Sequence, residues 1–213
     1  MLLRGISWVE DLLGSLYRRG GNVPRDYAEA VKWFRAAAEQ QYPEAADNLG
    51  YMYLNGKGVT KDYGQAAHWY AIGAAQGYPP AQNNLAQLYE QGIGVDKDYT
   101  AELNLYRQAL QKGLASAQNN LGALYEAGLG VSRDYKEAVK WYRASAEQGE
   151  PVGQSNLAFM YAHSRGVRRD LSEVAKWYAR AAASGYAPAQ GRLAELYEAG
   201  QGVRLDYVLA YSC

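Results

Sequence analysis

The sequence predicts an all-α protein, a solenoid of stacked helix pairs. Three observations predict this class. One motif recurs every 36 residues without an insertion, apolar residues follow a helical period between its copies, and no segment alternates with the two-residue period of a strand. Self-similarity at a fixed period of about 20–50 residues is typical of repeat proteins, in which neighbouring units bury one another's apolar faces.

The recurring motif reads Gly-x-Gly-Val-x-x-Asp-Tyr. It is complete at 56–63, 92–99, 128–135 and 200–207, and it occurs in variant form at 20–27 and 164–171. These copies predict a single repeat domain over 1–213. We expect a partial unit at 1–25, full units at 26–61, 62–97, 98–133, 134–169 and 170–205, and a truncated unit at 206–213.

The first helix of each unit, helix A, is predicted to begin after the Asp of the motif. In four of five units Glu or Gln follows that Asp by three residues, the spacing of a capping box in which each side chain bonds the other's backbone N–H. Helix A is expected to end at a left-handed glycine, with Gln41 as the exception. Those glycines are Gly77, Gly113, Gly149 and Gly185. One arc of the first helix A is apolar: Tyr27, Ala30, Val31, Phe34, Ala37 and Ala38.

The second helix, helix B, is predicted to begin at or near a proline and to end at the next glycine. The prolines are Pro43, Pro79, Pro151 and Pro188. In the variant motif at 20–27, Asn22 replaces the second glycine, and we expect it to take a positive φ. An asparagine recurs in helix B, and we expect its amide to bond the backbone of the adjacent loop. Its copies are Asn48, Asn84, Asn120 and Asn156.

Composition narrows the function classes. The 22 basic and 22 acidic side chains give no net charge, which argues against nucleic-acid binding. A single Cys excludes an internal disulfide framework, and His68 and His163 lack partners at metal-ligand spacing, so we expect no metal and no cofactor. No apolar run reaches the length of a membrane span. The first residues show no signal peptide, so the chain as it stands reads as cytoplasmic, or as exported if its true start is missing.

These motifs closely resemble the Sel1-like repeat family, which is related to the tetratricopeptide repeats. The resemblance rests on the 36-residue spacing, the glycine loop, the Trp-Tyr pair as at Trp69–Tyr70, and the Asn-Leu-Gly segment of helix B. The chain departs from the pattern at Leu105, where Trp is expected, at Ser164 and at Arg192. The resemblance implies a right-handed superhelix whose A helices line a concave face, and a non-enzymatic adaptor for a partner protein or peptide, mostly in bacteria.

A hydrolase is the distant alternative. Some Sel1-like proteins have been described as β-lactamases, but the sequence contains none of Ser-x-x-Lys, Ser-Asp-Asn and Lys-Thr-Gly. We therefore expect no catalytic residues.

Positions that vary while the scaffold repeats are the candidate binding residues. On the outer arc of helix A one column has a basic tendency, and a second column follows it three residues later. The predicted groove residues are Lys32, His68, Asn104, Lys140, Lys176, Arg35, Arg107 and Arg143. The alternative is a solvated face held by i,i+3 pairs such as Glu29–Lys32 and by i,i+4 pairs, Arg35–Glu39 and Arg143–Glu147. The Trp column, Trp33, Trp69, Trp141 and Trp177, is expected to be partly exposed.

The ends of the chain carry apolar residues where solenoids normally have polar caps. Trp8, Leu12 and Leu16 lie near the start, and Tyr207 and Tyr211 lie near the end. The alternative function is therefore a structural array that stacks head to tail through these residues.

Overall fold

The structure, a computed structural model, describes residues 6–203. These form eleven α-helices and contain no strand, which confirms the all-α prediction. The truncated unit at 206–213, with Tyr207 and Tyr211, lies outside the described residues. The helices are α1 (Ser7–Arg19), α2 (Tyr27–Glu39), α3 (Pro43–Asn55), α4 (Tyr63–Ala75), α5 (Pro79–Gln91), α6 (Tyr99–Leu110), α7 (Ala115–Ala127), α8 (Tyr135–Glu147), α9 (Pro151–Ala162), α10 (Leu171–Ala183) and α11 (Ala187–Ala199).

The described part of the chain divides between Lys112 and Gly113 into two compact units, which we call the N-terminal half and the C-terminal half. Consecutive helices pack in sequence from α1 to α6 in the first half and from α7 to α11 in the second. Helices α2, α4, α6, α8 and α10 are the predicted A helices, and the others are B helices. The 36-residue unit boundaries remain a prediction.

Each A helix begins at the predicted aspartate. The side chains of Asp26, Asp62, Asp98, Asp134 and Asp170 each accept a hydrogen bond from the backbone N–H three residues later, at 2.9–3.2 Å. In three of the four helices with a predicted capping box, a backbone carbonyl replaces the reciprocal half of the box, and α6, which has Ala101 at the box position, makes the same bond. The Asp26 N–H donates to the Tyr17 carbonyl at 3.0 Å, and the later aspartates donate to Tyr53, Tyr89 and Tyr125. The motif therefore ties each of these A helices to the B helix before it.

The A helices end at left-handed residues, as predicted. Gly77, Gly113, Gly149 and Gly185 have φ between 73° and 86°. Gln41 was expected to depart from this pattern, but it adopts the same conformation at φ 62°. The expectation for Asn22 is wrong, because the positive φ of that loop belongs to Gly20 and Gly21. The neighbouring Gly-Gly pair supplies the turn without a strained asparagine.

The second glycine of the motif is required by a close approach between chain segments. A Cβ on Gly58 would lie 2.2 Å from the carbonyl oxygen of Tyr27, at the start of the preceding A helix. Gly94, Gly166 and Gly202 make the same approach to the A helices before them. Gly58 also has φ 72°, so both space and conformation select glycine there.

The core lies between the A and B helices of each half. Five residues of the predicted apolar arc of α2 are buried, and the sixth, Tyr27, is half-buried. A small residue of helix B faces the ring of the next A helix, since a Cβ on Gly50 would lie 2.7 Å from the Tyr70 ring. Gly122 and Tyr142 repeat the contact in the C-terminal half.

Candidate functional site

The first predicted column is exposed on the A helices of both halves. In the N-terminal half it consists of Lys32, His68 and Asn104 on α2, α4 and α6. In the C-terminal half it consists of Lys140 and Lys176 on α8 and α10. We call these five residues the A-helix column. Each lies beside a buried residue of the same helix, so the scaffold fixes the helix while the column faces solvent.

The lysines of the A-helix column form the predicted i,i+3 pairs. Lys32 bonds Glu29 at 2.7 Å, and this hydrogen bond raises the pKa of Lys32. The pairs of Lys140 with Glu137 and Lys176 with Glu173 measure 3.1 Å and 2.7 Å. Because the pairs are exposed, they add little to stability and leave the ammonium groups accessible.

The arginines of the second predicted column differ in exposure: Arg35 and Arg143 are half-buried, whereas Arg107 is exposed. Arg35 is half-buried, donates a hydrogen bond to the Tyr53 hydroxyl and lies 5.8 Å and 5.9 Å from the rings of Tyr53 and Trp69. Arg143 donates to the Tyr161 hydroxyl at 2.6 Å in the same way.

The expected pairs of these arginines with Glu39 and Glu147 are wrong, because the tyrosines of the following B helix bind the guanidinium groups instead. Arg107 is exposed. Two of the three arginines are therefore held in place, with further N–H groups available to a carboxylate.

The Trp column is only partly exposed. Trp33 and Trp141 are half-buried, as expected, whereas Trp69 and Trp177 are buried. The Trp177 Nε1 donates to Glu173 at 2.8 Å, so the same glutamate holds both Lys176 and the indole.

The recurring asparagine of helix B bonds a side chain, so the expectation of a loop backbone partner is wrong. The Asn48 amide donates to Asp11 on the preceding B helix at 2.9 Å, and the Asn84 amide donates to Asp47 at 2.8 Å. In the C-terminal half Asn156 donates to Asn119 at 2.8 Å. The acceptor always lies 37 residues earlier. For Asp47 and Asn119 the signal was the dipeptide Asp-Asn or Asn-Asn, whose first residue accepts from the next unit, whereas Asp11 precedes Leu12.

We call these hydrogen bonds between successive B helices the polar ladder. Burial raises the pKa of its carboxyl groups. It raises the pKa of Asp47 to about 6, against the hydrogen bond from Asn84 and the charge of Arg18, which lower it. Burial also raises the pKa of Asp11. The ladder joins successive B helices, so these carboxyls belong to the scaffold.

Glu102 on α6 is a buried carboxyl that the sequence analysis missed. Its side chain is 1% exposed, and its Oε2 has no hydrogen-bond partner among the described residues. Burial first, and the charge of Glu90 second, raise its pKa from 4.5 to about 8, while Lys97 opposes the rise. The signal was an exchange of order, because Ala101-Glu102 occupies the place where α8 has Glu137-Ala138.

The described residues contain no cluster of three or more metal-ligand side chains. The His68 ring packs edge-on against the Trp69 ring, with 5.2 Å between the ring centroids, and the His163 ring stacks on the Phe159 ring with 4.1 Å between centroids. None of the helices in residues 6–203 is both long and apolar enough to cross a membrane.

The first B helix presents an apolar outer face. Trp8, Leu12 and Leu16, predicted for end-to-end stacking, are 58%, 52% and 41% exposed. Ile6, the residue that precedes α1, is also exposed, at 41%. Tyr207 and Tyr211, the residues predicted to meet them, lie outside the described part of the chain.

Repeated helix pairs, joined by glycine turns and capped by aspartate, define a helical-repeat protein. The model of the Sel1 repeat matches residues 11–42, 43–78, 79–114, 115–150, 151–186 and 187–213. The chain therefore belongs to the Sel1-repeat family. Proteins of this family commonly act as scaffolds for protein interaction.

Solved structures of Sel1-repeat proteins resemble the chain. It is 39% identical to c5321, a protective antigen present in uropathogenic Escherichia coli strains, with a TM-score of 0.86 over 98% of this chain. The chain spans 44% of that protein's length. It is 32% identical to a Sel1 repeat protein from Oxalobacter formigenes, with a TM-score of 0.92 over 97% of this chain and 83% of the other.

The immunity protein Pa5087 from Pseudomonas aeruginosa shares the fold at 23% identity, with a TM-score of 0.58 over 87% of this chain and 69% of its own. No curated protein matches the chain.

Proposed function

We propose that this chain is a non-enzymatic interaction scaffold that binds an acidic protein or peptide through the outer surface of its A helices. One observation carries the proposal: the A-helix column is exposed at the same repeat position throughout, beside residues that the fold needs. Family membership supports it, because Sel1-repeat proteins commonly bind other proteins.

The chemistry of the surface favours carboxylates. Lys32, Lys140 and Lys176 present ammonium groups whose paired glutamates can exchange for a partner's carboxylates at small cost. Arg35 and Arg143 are already oriented by the tyrosine hydroxyls, so less side-chain entropy is lost when they bind.

The test is affinity capture from a bacterial lysate, followed by calorimetry with the purified partner. The variant carries Lys32→Glu, Lys140→Glu and Lys176→Glu. The matched control carries three reversals of exposed lysines outside the column: Lys61→Glu, Lys112→Glu and Lys136→Glu. We expect the column variant to lose the partner and the control to keep it, with unchanged helical circular dichroism in both. Equal binding by the two variants refutes the role of the column.

The non-enzymatic part of the proposal has its own test. The absence of the three β-lactamase motifs from the sequence supports it. A chromogenic β-lactam incubated with the purified chain should be hydrolysed no faster than in buffer. Turnover that follows the protein through chromatography would contradict it.

A second candidate function, a head-to-tail array, is favoured by the exposed apolar face of α1. Sedimentation at rising concentration should then show association, and Trp8→Ser with Leu12→Gln should abolish it. A monomer at all concentrations would remove this candidate and leave the scaffold proposal intact.

A further inference from the structure

A cavity of about 300 Å³ lies in the C-terminal half, among the end of α9, the first half of α10 and the second half of α11. This volume is at the lower end of the range of small-ligand sites. Phe159, Leu171, Val174 and Leu196 form apolar walls, and Tyr178 lies among them. The A-helix column contributes no residue to it.

In the preceding repeat, side chains fill the space that is equivalent to this cavity. Between α7, α8 and α9, the Glu126 carboxylate accepts a hydrogen bond from the Tyr142 hydroxyl at 2.8 Å. It also binds the Arg165 guanidinium at 2.8 Å. The three side chains form a compact group of a carboxylate, a phenol and a guanidinium.

One period later the phenol remains and its partners are lost. Tyr178 stands where Tyr142 is, but Ala162 replaces Glu126 and Gln201 replaces Arg165. The Tyr178 side chain is 6% exposed, and the positions equivalent to Glu126 and Arg165 carry neither a carboxylate nor a guanidinium. Burial raises the pKa of Tyr178, so the hydroxyl stays a donor at neutral pH.

A third substitution frees a cation at the cavity. Arg133 lies 5.7 Å from the ring of Tyr135, and Lys61 and Lys97 lie over the equivalent tyrosines in their own repeats. Arg169 is the residue equivalent to Arg133, but Leu171 takes the place of the tyrosine. Arg169 therefore has no ring to cover and lines the cavity instead. At the rim, Glu195 is paired with Arg192 at 2.9 Å, and the two opposite charges both act on Tyr178.

We propose that this cavity binds the carboxylate of an apolar acid, in the place that the Glu126 side chain fills one repeat earlier. The ligand carboxylate accepts from the Tyr178 hydroxyl and pairs with Arg169, while its aliphatic or aromatic body contacts the apolar walls. The same chemistry is available from a free organic acid and from the carboxyl terminus of a peptide.

The probe is phenylacetate, titrated into the full chain and followed by NMR shifts, with phenylacetamide as the neutral control. We expect phenylacetate to bind at least tenfold more tightly than the amide, because a hydrogen bond to a charged group discriminates by that factor or more. Gly-Gly-Phe with a free or an amidated terminus distinguishes the two sources. Binding of the free tripeptide assigns a peptide terminus, and exclusion of it assigns a small acid.

Three variants locate the site. Tyr178→Phe should weaken phenylacetate about tenfold and should fold, because Phe34 is buried at the equivalent position of α2. Arg169→Gln should weaken it similarly, whereas Arg168→Gln, at the adjacent exposed position, should not. Ala162→Glu with Gln201→Arg restores the filled arrangement and should abolish binding.

Equal affinity for acid and amide overturns the proposal, as does unchanged binding in Tyr178→Phe and in the filled variant. Absence of phenylacetate binding by the unmodified chain also overturns it. Since these variants leave the A-helix column unchanged, either outcome is independent of the scaffold test.

Discussion

Replacing Glu102 with alanine should stabilise the protein, since it removes a carboxyl from a position where α2, α4 and α8 bury Ala30, Ala66 and Ala138. The folded state raises the pKa of Glu102 from 4.5 to about 8, so it binds the proton more tightly than the unfolded chain does. Between these two values the folded state holds more protons, and its stability falls as pH rises.

The magnitude follows from that shift. Each pKa unit corresponds to about 1.4 kcal/mol, so the rise from pH 4.5 to pH 7 costs at most about 3 kcal/mol through this group. Local relaxation and water reduce such penalties in real proteins. We expect Glu102→Ala and Glu102→Gln to raise the free energy of unfolding at pH 7 by about 2–3 kcal/mol.

The assay is urea denaturation of the unmodified chain and both variants at several pH values from about 4.5 to 8. The difference in free energy of unfolding between Glu102→Gln and the unmodified chain isolates the effect of the Glu102 carboxyl. Asp47, whose pKa is also raised, lowers the stability of both chains alike as pH rises. That difference should grow steadily with pH. The reverse substitution, Ala138→Glu on α8, should destabilise the chain. A constant difference across the pH range would refute the reasoning.

Three pairs of substitutions test the scaffold. Gln41→Gly should stabilise the chain by about 0.5–1 kcal/mol, because Gln41 holds φ 62°, and Gly77→Gln should cost a similar amount in thermal denaturation. Asn84→Ala should destabilise the folded chain by about 1–3 kcal/mol at neutral pH, because it removes the hydrogen-bond donor to ionised Asp47. The loss should be smaller at pH 5, where Asp47 is largely protonated, and Asp47→Asn should abolish this pH dependence. Gly58→Ala should cost more than Gly77→Ala in the same melts, because a Cβ on Gly58 meets backbone at 2.2 Å whereas one on Gly77 meets nothing within 4 Å. Equal losses for the two glycine variants would show that φ alone selects glycine.

Much of the candidate surface could be predicted because it depends on helix periodicity. The exposure of Lys32, Lys140 and Lys176 follows from their place opposite the apolar arc, and their pairs lie within one turn. Arg35 could not be predicted in the same way. Its partner, Tyr53, is 18 residues away on the next helix, and an arginine beside a phenol hydroxyl and a ring competes with the predicted glutamate.

The sequence by itself determined the features that act within a few residues or repeat with the period. It placed the aspartate caps, the glycine ends and the alternation of A and B helices, because these depend on local backbone preference and on the spacing of apolar residues. Only the tertiary structure decided which side chains meet between successive helices. The partners of Asn84, the solitary burial of Glu102 and the cavity beside Ala162 all depend on side chains brought together from separate helices, whose fit is set by volume and desolvation.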